Sequence, residues 1–379
     1  MMKMKFQTSK NLLLATVLAT TATTTLAGGT IKVGDNKSIS AGIGVRTAFT
    51  AVNNGAPSGD AFSKDFAIQN ARIYLSGQAS KDIKFTFNTD EIFGQMGVLD
   101  AIIQYEPSKE FNVWVGRHLT PADRIEMNGP FYALSWNQYT VPLYSSDQLG
   151  AAGLYGRDDG ITVWGTLGKF QYAVGAFDGL SGDKTANTDD NLLYAARFAY
   201  NLLNMEQNPA YYTSSTYYGG LGDILTVGLS VQQQTGGAGA VVDSADFMGY
   251  AVDVLFEKVL GNNVVTIEGE YKSFTADISA AAAADASNFP MFDGTSYFAT
   301  AAFLYGSPIG KGKVQPYARM TGNSPSEGDS SSLTELGMNY ILDGHNSRFN
   351  VNVTMGDADL TGAKGKDTKA VSFGMQQQF

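Results

Sequence analysis

The chain closes on TKAVSFGMQQQF, Thr368 to Phe379, with an aromatic terminus in the middle of an alternating pattern. Val371, Phe373, Met375 and Phe379 share one parity, and Ser372, Gly374, Gln376 and Gln378 share the other. A period of two marks a strand with one apolar and one polar face. What the apolar face lies against, and why no tail follows it, decides the fold.

The other terminus narrows the choice. Lys3, Lys5 and Lys10 precede the apolar run LLLATVLAT and the stretch Thr25-Leu26-Ala27, the plan of a secretory signal peptide over residues 1–27. The run is shorter than the roughly 20 residues of a spanning helix, which predicts cleavage before Gly28 in preference to a retained anchor. No later run is apolar enough for a helix across a bilayer, and mean hydropathy is −0.11.

Composition excludes several functions. The chain has no cysteine, so an exported disulfide scaffold, a thiolate metal site and a cysteine nucleophile are excluded. Its 26 basic and 36 acidic side chains give −10; without the leader's three lysines, residues 28–379 carry −13, a poor match for nucleic acid. Length alone permits two or three domains, but no proline-rich linker or charge run separates them, which predicts one. With 43 Gly, 19 Tyr and 22 Phe beside 10 Pro, the chain favours strands and turns.

About sixteen alternating segments follow one another. They run over 38–52, 66–79, 82–91, 98–106, 110–118, 160–167, 169–177, 191–200, 223–234, 246–257, 263–275, 295–306, 313–321, 332–342, 347–355 and 368–379. Their connections alternate between short ones such as SKD, PSK and DGHN and mostly longer ones at 53–65, 119–159, 178–190, 276–294, 322–331 and 356–367. EQNPAYYTSSTYYGG breaks this rhythm, a long connection where a short turn is due. The expected fold is all-β: a transmembrane up-and-down antiparallel barrel of about sixteen strands, its apolar parity turned to lipid. Strand sixteen then pairs with strand one, and the chain ends on Phe379 at an aromatic girdle on the periplasmic side.

A lipid-facing Arg near the midplane costs about 2 to 4 kcal/mol, so apolar neighbours on the opposite parity send a charge inward. This places Arg46, Arg72, Lys84, Arg197, Arg319 and Arg348 in the lumen, with the acids Asp90, Asp100, Asp253, Glu268, Glu270 and Glu335. Strand adjacency puts Arg319, Arg348, Arg46, Arg72 and Lys84 on one arc of wall and Asp253, Glu268 and Glu270 on another. Such a lumen either carries a transverse field that orders solutes or is simply solvated polar lining. Arg117 shares its parity with Phe111, Val113 and Val115, so it sits either at the outer rim or on a bulge that turns it inward.

The connection 119–159 is long and rich in Phe, Tyr, Trp and Leu, which would expose much apolar area as a free excursion. It is expected to fold into the lumen as a constriction carrying Asp123, Arg124 and Glu126; an external lid or an intersubunit latch is the alternative.

Other motifs carry less. His118 and His345 are the two histidines, neither accompanied by a G-x-S-x-G nucleophile motif, so a turn and a strand-end role are expected and no enzyme activity. GDADLTGAKGKDT lacks the spacing of a calcium loop and reads as a solvated external loop, while GGAGA after Thr235 and SAAAAADA from Ser279 read as flexible loops. GKDTK lacks the phosphate-cradling motif, and no cofactor is expected.

At ARIYLSGQASKDIKFTFNTDE, AIIQYEPSKEFNVWVGRHLTP and GRDDGITVWGTLGKFQYAVGAFDG the chain resembles the phosphate- and polyphosphate-selective porins of Gram-negative outer membranes. The resemblance covers roughly the first half of residues 28–379 and the last strand. It implies a sixteen-stranded homotrimeric porin in the outer-membrane lipid, narrowed by its third external loop, with a ladder of basic residues to which Arg46, Arg72, Arg319 and Arg348 correspond in part. The chain departs from the family in its acidity and its lumen acids, which leaves passive diffusion of small hydrophilic solutes and ions as the main expectation. A non-conducting surface barrel with an adhesive or structural role is the alternative.

Overall fold

Alternation along each segment lets one face meet lipid and the other a polar interior, and the backbone groups are then satisfied only if neighbouring segments pair edge to edge. The computed structural model describes residues 28–92, 95–138, 140–144, 156–181, 185–359 and 362–379. The expected signal peptide, 1–27, and residues 139 and 145–155 of the long connection lie outside them.

Seventeen strands and two short helices follow the sequence. They are β1 (Gly29–Gly34), β2 (Lys37–Val52), β3 (Ser63–Gln78), β4 (Ile83–Ile92), β5 (Gln95–Tyr105), β6 (Asn112–Leu119), α1 (Arg124–Tyr132), β7 (Arg157–Leu167), β8 (Phe170–Phe177) and β9 (Leu193–Asn201). The second half holds β10 (Ile224–Ala240), β11 (Asp243–Leu260), β12 (Asn263–Ala276), α2 (Ala280–Ala283), β13 (Gly294–Leu304), β14 (Lys313–Pro325), β15 (Ser331–Asp343), β16 (Ser347–Ala358) and β17 (Lys364–Gln378). Strands β2 to β17 pair antiparallel in sequence order, and β17 returns to β2 to close a sixteen-stranded barrel.

That closure explains the chain's last residue. Val371, Phe373 and Met375 lie opposite Ala51, Phe49 and Thr47, and Phe379 exchanges two backbone hydrogen bonds with Ile43, at 3.0 and 3.1 Å. The ladder itself holds Phe379. β1, absent from the sequence reading, continues along the same edge of β2, with Gly29 opposite Ala41 just beyond Phe379.

Outward residues such as Ile73, Phe87, Ile103, Leu229, Val252, Ile267, Met320 and Phe373 are exposed. An apolar surface that runs around the whole wall is the mark of a membrane barrel. Among the described residues no helix is long and apolar enough to cross a membrane.

Two readings differ from the structure at strand ends. GGAGA belongs to β10, where Gly236 and Gly239 at φ +68° and +91° carry a bulge between Gln234 and Ala238 that a side chain would resist. Most of GDADLTGAKGKDT likewise extends β16 and β17, and SAAAAADA begins with the single-turn α2. Arg117 resolves to the outer face: it stands opposite Asp159 and its Nη1 lies 3.0 Å from that carboxylate.

Candidate functional site

Two segments enter the barrel, one from each end. From the long-loop end, residues 120–138 and 140–144 run inside the wall. Asp123 caps α1 by accepting from Glu126 N–H at 3.1 Å, and Gly129 at φ +62° followed by Pro130 breaks the helix and turns the chain across the lumen. From the short-turn end, the unusually long connection between β9 and β10, residues 202–223, rises to meet it. Thr213 Oγ1 donates to the Arg124 carbonyl at 2.8 Å, Asn128 Nδ2 to Ser215 Oγ at 2.6 Å, and Ser215 N–H to the Tyr132 carbonyl at 3.2 Å.

Irregular backbone inside a barrel must find partners for its carbonyls. The wall supplies them, and here three of the four ladder arginines of the sequence reading are used. Arg348 Nη1 donates to the Ala133 carbonyl at 2.7 Å, and Arg46 Nη2 to that of Trp136 at 2.8 Å. Arg319 Nη1 donates to the carbonyls of Asn137 and Gln138, both at 3.0 Å. Arg72 instead pairs with Asp90 at 2.7 Å and stacks on Phe131, 5.1 Å from the ring centroid. Asn339 and Gln376, which sequence reasoning did not single out, reach the carbonyls of Leu134 and Phe131 at 2.9 and 3.0 Å.

Glycines on the wall make room for the segment's rings. A Cβ on Gly44 would lie 3.0 Å from the Phe131 ring, one on Gly249 would lie 2.7 Å from the Tyr144 ring, and one on Gly374 would strike the Trp136 ring outright. Arg46 stacks over that same Trp136 at 4.2 Å.

On the other arc the contacts are ionic. Lys272 meets Asp123 at 2.6 Å and Glu126 at 2.8 Å, with Glu270 at 3.6 Å. Arg124 forms a forked pair with Glu206, at 2.7 and 2.9 Å, and reaches Asp253 at 3.2 Å; Arg197 holds the second oxygen of Asp253 at 2.5 Å. Glu268 accepts from Ser215 at 2.7 Å and faces Arg319 at 3.6 Å. Outside this arc, Asp100 of β5 holds Arg157 of β7 at 3.1 Å, and on the arginine arc Glu335 accepts from Asn137 at 3.0 Å. Lys272 and Glu206 were missed; the break in connection length at 202–223 was the available signal for the second.

Lys84 stands apart from both groups, paired with Glu106 at 2.5 Å, its side chain 42 % exposed. His118 is buried inside the wall, its Nδ1 2.8 Å from the Gly116 carbonyl and its Nε2 2.8 Å from Thr162. His345, in the β15–β16 turn, is part-buried. Its Nε2 donates to the Thr216 carbonyl at 2.9 Å, and the rings of Tyr132 and Tyr218 pack on it at 5.1 and 4.9 Å. Burial, with Arg348 adding repulsion, lowers its pKa to about 4. Among the described residues no cluster of His, Asp and Glu has the arrangement of a metal site.

A closed sixteen-stranded barrel, apolar outside and polar inside, with a long connection folded into its lumen, defines a porin-type outer-membrane barrel. Solved structures agree at the level of fold. The anion-selective porin from Comamonas acidovorans superposes with a TM-score of 0.58 at 16% identity, over 90% of this chain and 100% of that one. The trimer form of OmpT, an outer membrane protein of Vibrio cholerae, gives 0.56 at 11% over 91% and 100%, and the outer membrane channel DcaP of Acinetobacter baumannii 0.53 at 14% over 93% and 100%. No protein-family model and no curated protein matches the chain.

Proposed function

We propose that the chain is an outer-membrane porin through which small hydrophilic solutes and ions diffuse passively, with the long-loop end outside the cell and the short-turn end in the periplasm. It works without cofactor, energy source or chemical step, acts on no nucleic acid, and assembles as a homotrimer after loss of the leader 1–27. The observation that supports this most directly is a polar lumen whose lining is part-exposed at both ends. Thr50 and Asn137 are part-exposed towards the long-loop end, Tyr74, Lys84 and Asn88 towards the other. Four arginines on one arc and an excess of acids on the other give the lumen a transverse field. In this reading Arg46, Arg319 and Arg348 shape that field from behind the inserted segment, because their donors hold its carbonyls, and a preference for phosphate or other anions rests on the field and not on direct ligation.

A second reading has its own observation. The interior is tightly filled: between Arg124, Arg197, Glu206 and Tyr211 the gap is about 20 Å³, room for about one water. A barrel filled in this way suits a non-conducting surface protein. Single-channel recording of the purified protein in a planar bilayer decides between them. Ohmic steps support the porin, and a silent membrane with inserted, folded barrel supports the surface protein.

A further inference from the structure

The inward side chains differ in whether water reaches them, and the difference follows the arcs. On β9 to β12, Arg197, Ser230, Asp253, Thr266, Glu268 and Lys272 are sealed, none more than 3 % exposed. On β3 and β4 the inward residues Tyr74, Ser76, Lys84, Thr86 and Asn88 are all part-exposed. The cause lies in the insert from the short-turn end. It leans against the acidic arc, where Ser215 donates to Glu268 and Thr216, Tyr217 and Gly219 all donate to Glu257, at 2.7 to 3.0 Å. Among the described residues no such insert stands against β3 and β4, whose connection is the short turn 79–82.

Above this wet stretch the same arc carries a chain of hydrogen bonds. Arg46 donates to Asn70 at 3.1 Å, Asn70 to Asp90 at 3.0 Å, and Arg72 to Asp90 at 2.7 Å. Beyond that waist Thr50 and Asn137 are wet again. We infer that the passage is eccentric: it follows the β3–β4 wall, and the pair Lys84 and Glu106 sets its charge preference. This rests on the porin reading. The two groups face each other with little competition, since Trp114 Nε1, donating to Glu106 at 2.8 Å, is neutral. Removing one charge therefore leaves the other uncompensated beside the passing solute. The inference also separates two roles among the basic residues. Lys84 touches solute, whereas Arg319 and Arg348, at 1 % and 0 % exposure, hold the inserted loop.

The test uses the natural absence of cysteine. Single substitutions Asn88→Cys and Ser76→Cys on the wet arc, and Ser230→Cys and Thr266→Cys on the sealed arc, are treated in the folded barrel with a cationic methanethiosulfonate reagent. Modification is read by mass and conduction by current. The wet-arc thiols are expected to react to completion with loss of most of the current, and the sealed-arc thiols to remain unmodified. In a salt gradient, Lys84→Gln is expected to shift the reversal potential towards cations and Glu106→Gln towards anions, each further than Arg348→Gln shifts it. Equal modification on both arcs, or reversal potentials that ignore Lys84 and Glu106 and follow Arg348, overturns the inference. A barrel that labels on the wet arc alone yet passes no current keeps the eccentric cleft and removes the porin reading, so the two failures are told apart.

Discussion

The two arcs of the barrel grip the same inserted segment by different chemistry. On the seam side, β14 to β3, arginines and amides donate to neutral backbone carbonyls of residues 130–138 and stack on Phe131 and Trp136. On the β9–β12 side, charged side chains of the segment are matched with charged side chains of the wall. Among the described residues neither Arg46 nor Arg348 has a carboxylate within ion-pair distance, whereas Lys272 has three. The seam grip depends on shape and on carbonyls that have no other partner. The acidic grip depends on balanced charge in a dry interior, where one lost partner leaves the others exposed to one another.

The sharpest way to break this comparison is to remove the one lysine. Lys272→Met strips the cation from Asp123, Glu126 and Glu270 and is expected to destabilise the inserted segment by about 3 to 5 kcal/mol, seen as lower denaturant resistance and protease cleavage within 120–144. Lys272→Arg restores most of it. A loss under about 1 kcal/mol would show that the acids are already neutral or wet, and the distinction between arcs would fall.

Next in size is acid. His345 joins the short-turn insert, through Thr216, Ser214 and Tyr218, to Tyr132 of the long loop and to the wall, with Arg348 the nearest charge and Gln376 and Gln378 on its own carbonyl. Its pKa is about 4 in the fold against 6.5 when free, so the unfolded chain takes up the proton first. Stability is unaffected above pH 6.5, falls as pH drops from 6.5 to 4, and loses up to about 3 kcal/mol in that window. His345→Gln is expected to flatten the dependence that this residue contributes, measured as unfolding midpoint against pH. An unchanged slope would place the proton elsewhere.

Smaller again is steric. Gly374→Val puts a branched side chain where the Trp136 ring lies, and overpacking of this kind costs about 1 to 3 kcal/mol. Trp136 fluorescence should move to longer wavelength as the ring leaves its seat. Gly29→Ala, with open space around the added carbon, is the neutral control.

What the sequence made legible follows from periodicity. Each of the sixteen barrel strands lies where alternation put it, because lipid outside and polar groups inside enforce a period of two along every one, as Ile73 beside Arg72 and Ile267 beside Glu268 illustrate. The inward direction of Arg46, Arg72, Arg197, Arg319 and Arg348 was legible for the same reason. Their partners were not. Arg348 meets the carbonyl of Ala133, 215 residues away, and nothing in local pattern encodes which backbone oxygen a guanidinium will reach. Glu206 and Ser215 were hidden because an irregular insert has no period, and GGAGA was misread because glycines that permit a bulge look like glycines that make a loop.

The smallest effect carries ion-pair chemistry to the outer face and so sharpens the contrast with Lys272. Arg117 and Asp159 form a cross-strand pair at 3.0 Å on the lipid-facing parity, with Asp159 more than half exposed. Two residues separate Arg117 from the end of β6 at Leu119, and Asp159 lies as close to the start of β7, so the pair sits near the long-loop interface. Near the interface the penalty for a charge falls to about 0 to 1 kcal/mol, and exposed pairs contribute about as little. Arg117→Gln is therefore expected to cost under about 1 kcal/mol, and the double variant with Asp159→Asn no more than the single one. A loss of 2 kcal/mol or more would place the pair deep in hydrocarbon and move the boundary of the membrane band along β6 and β7.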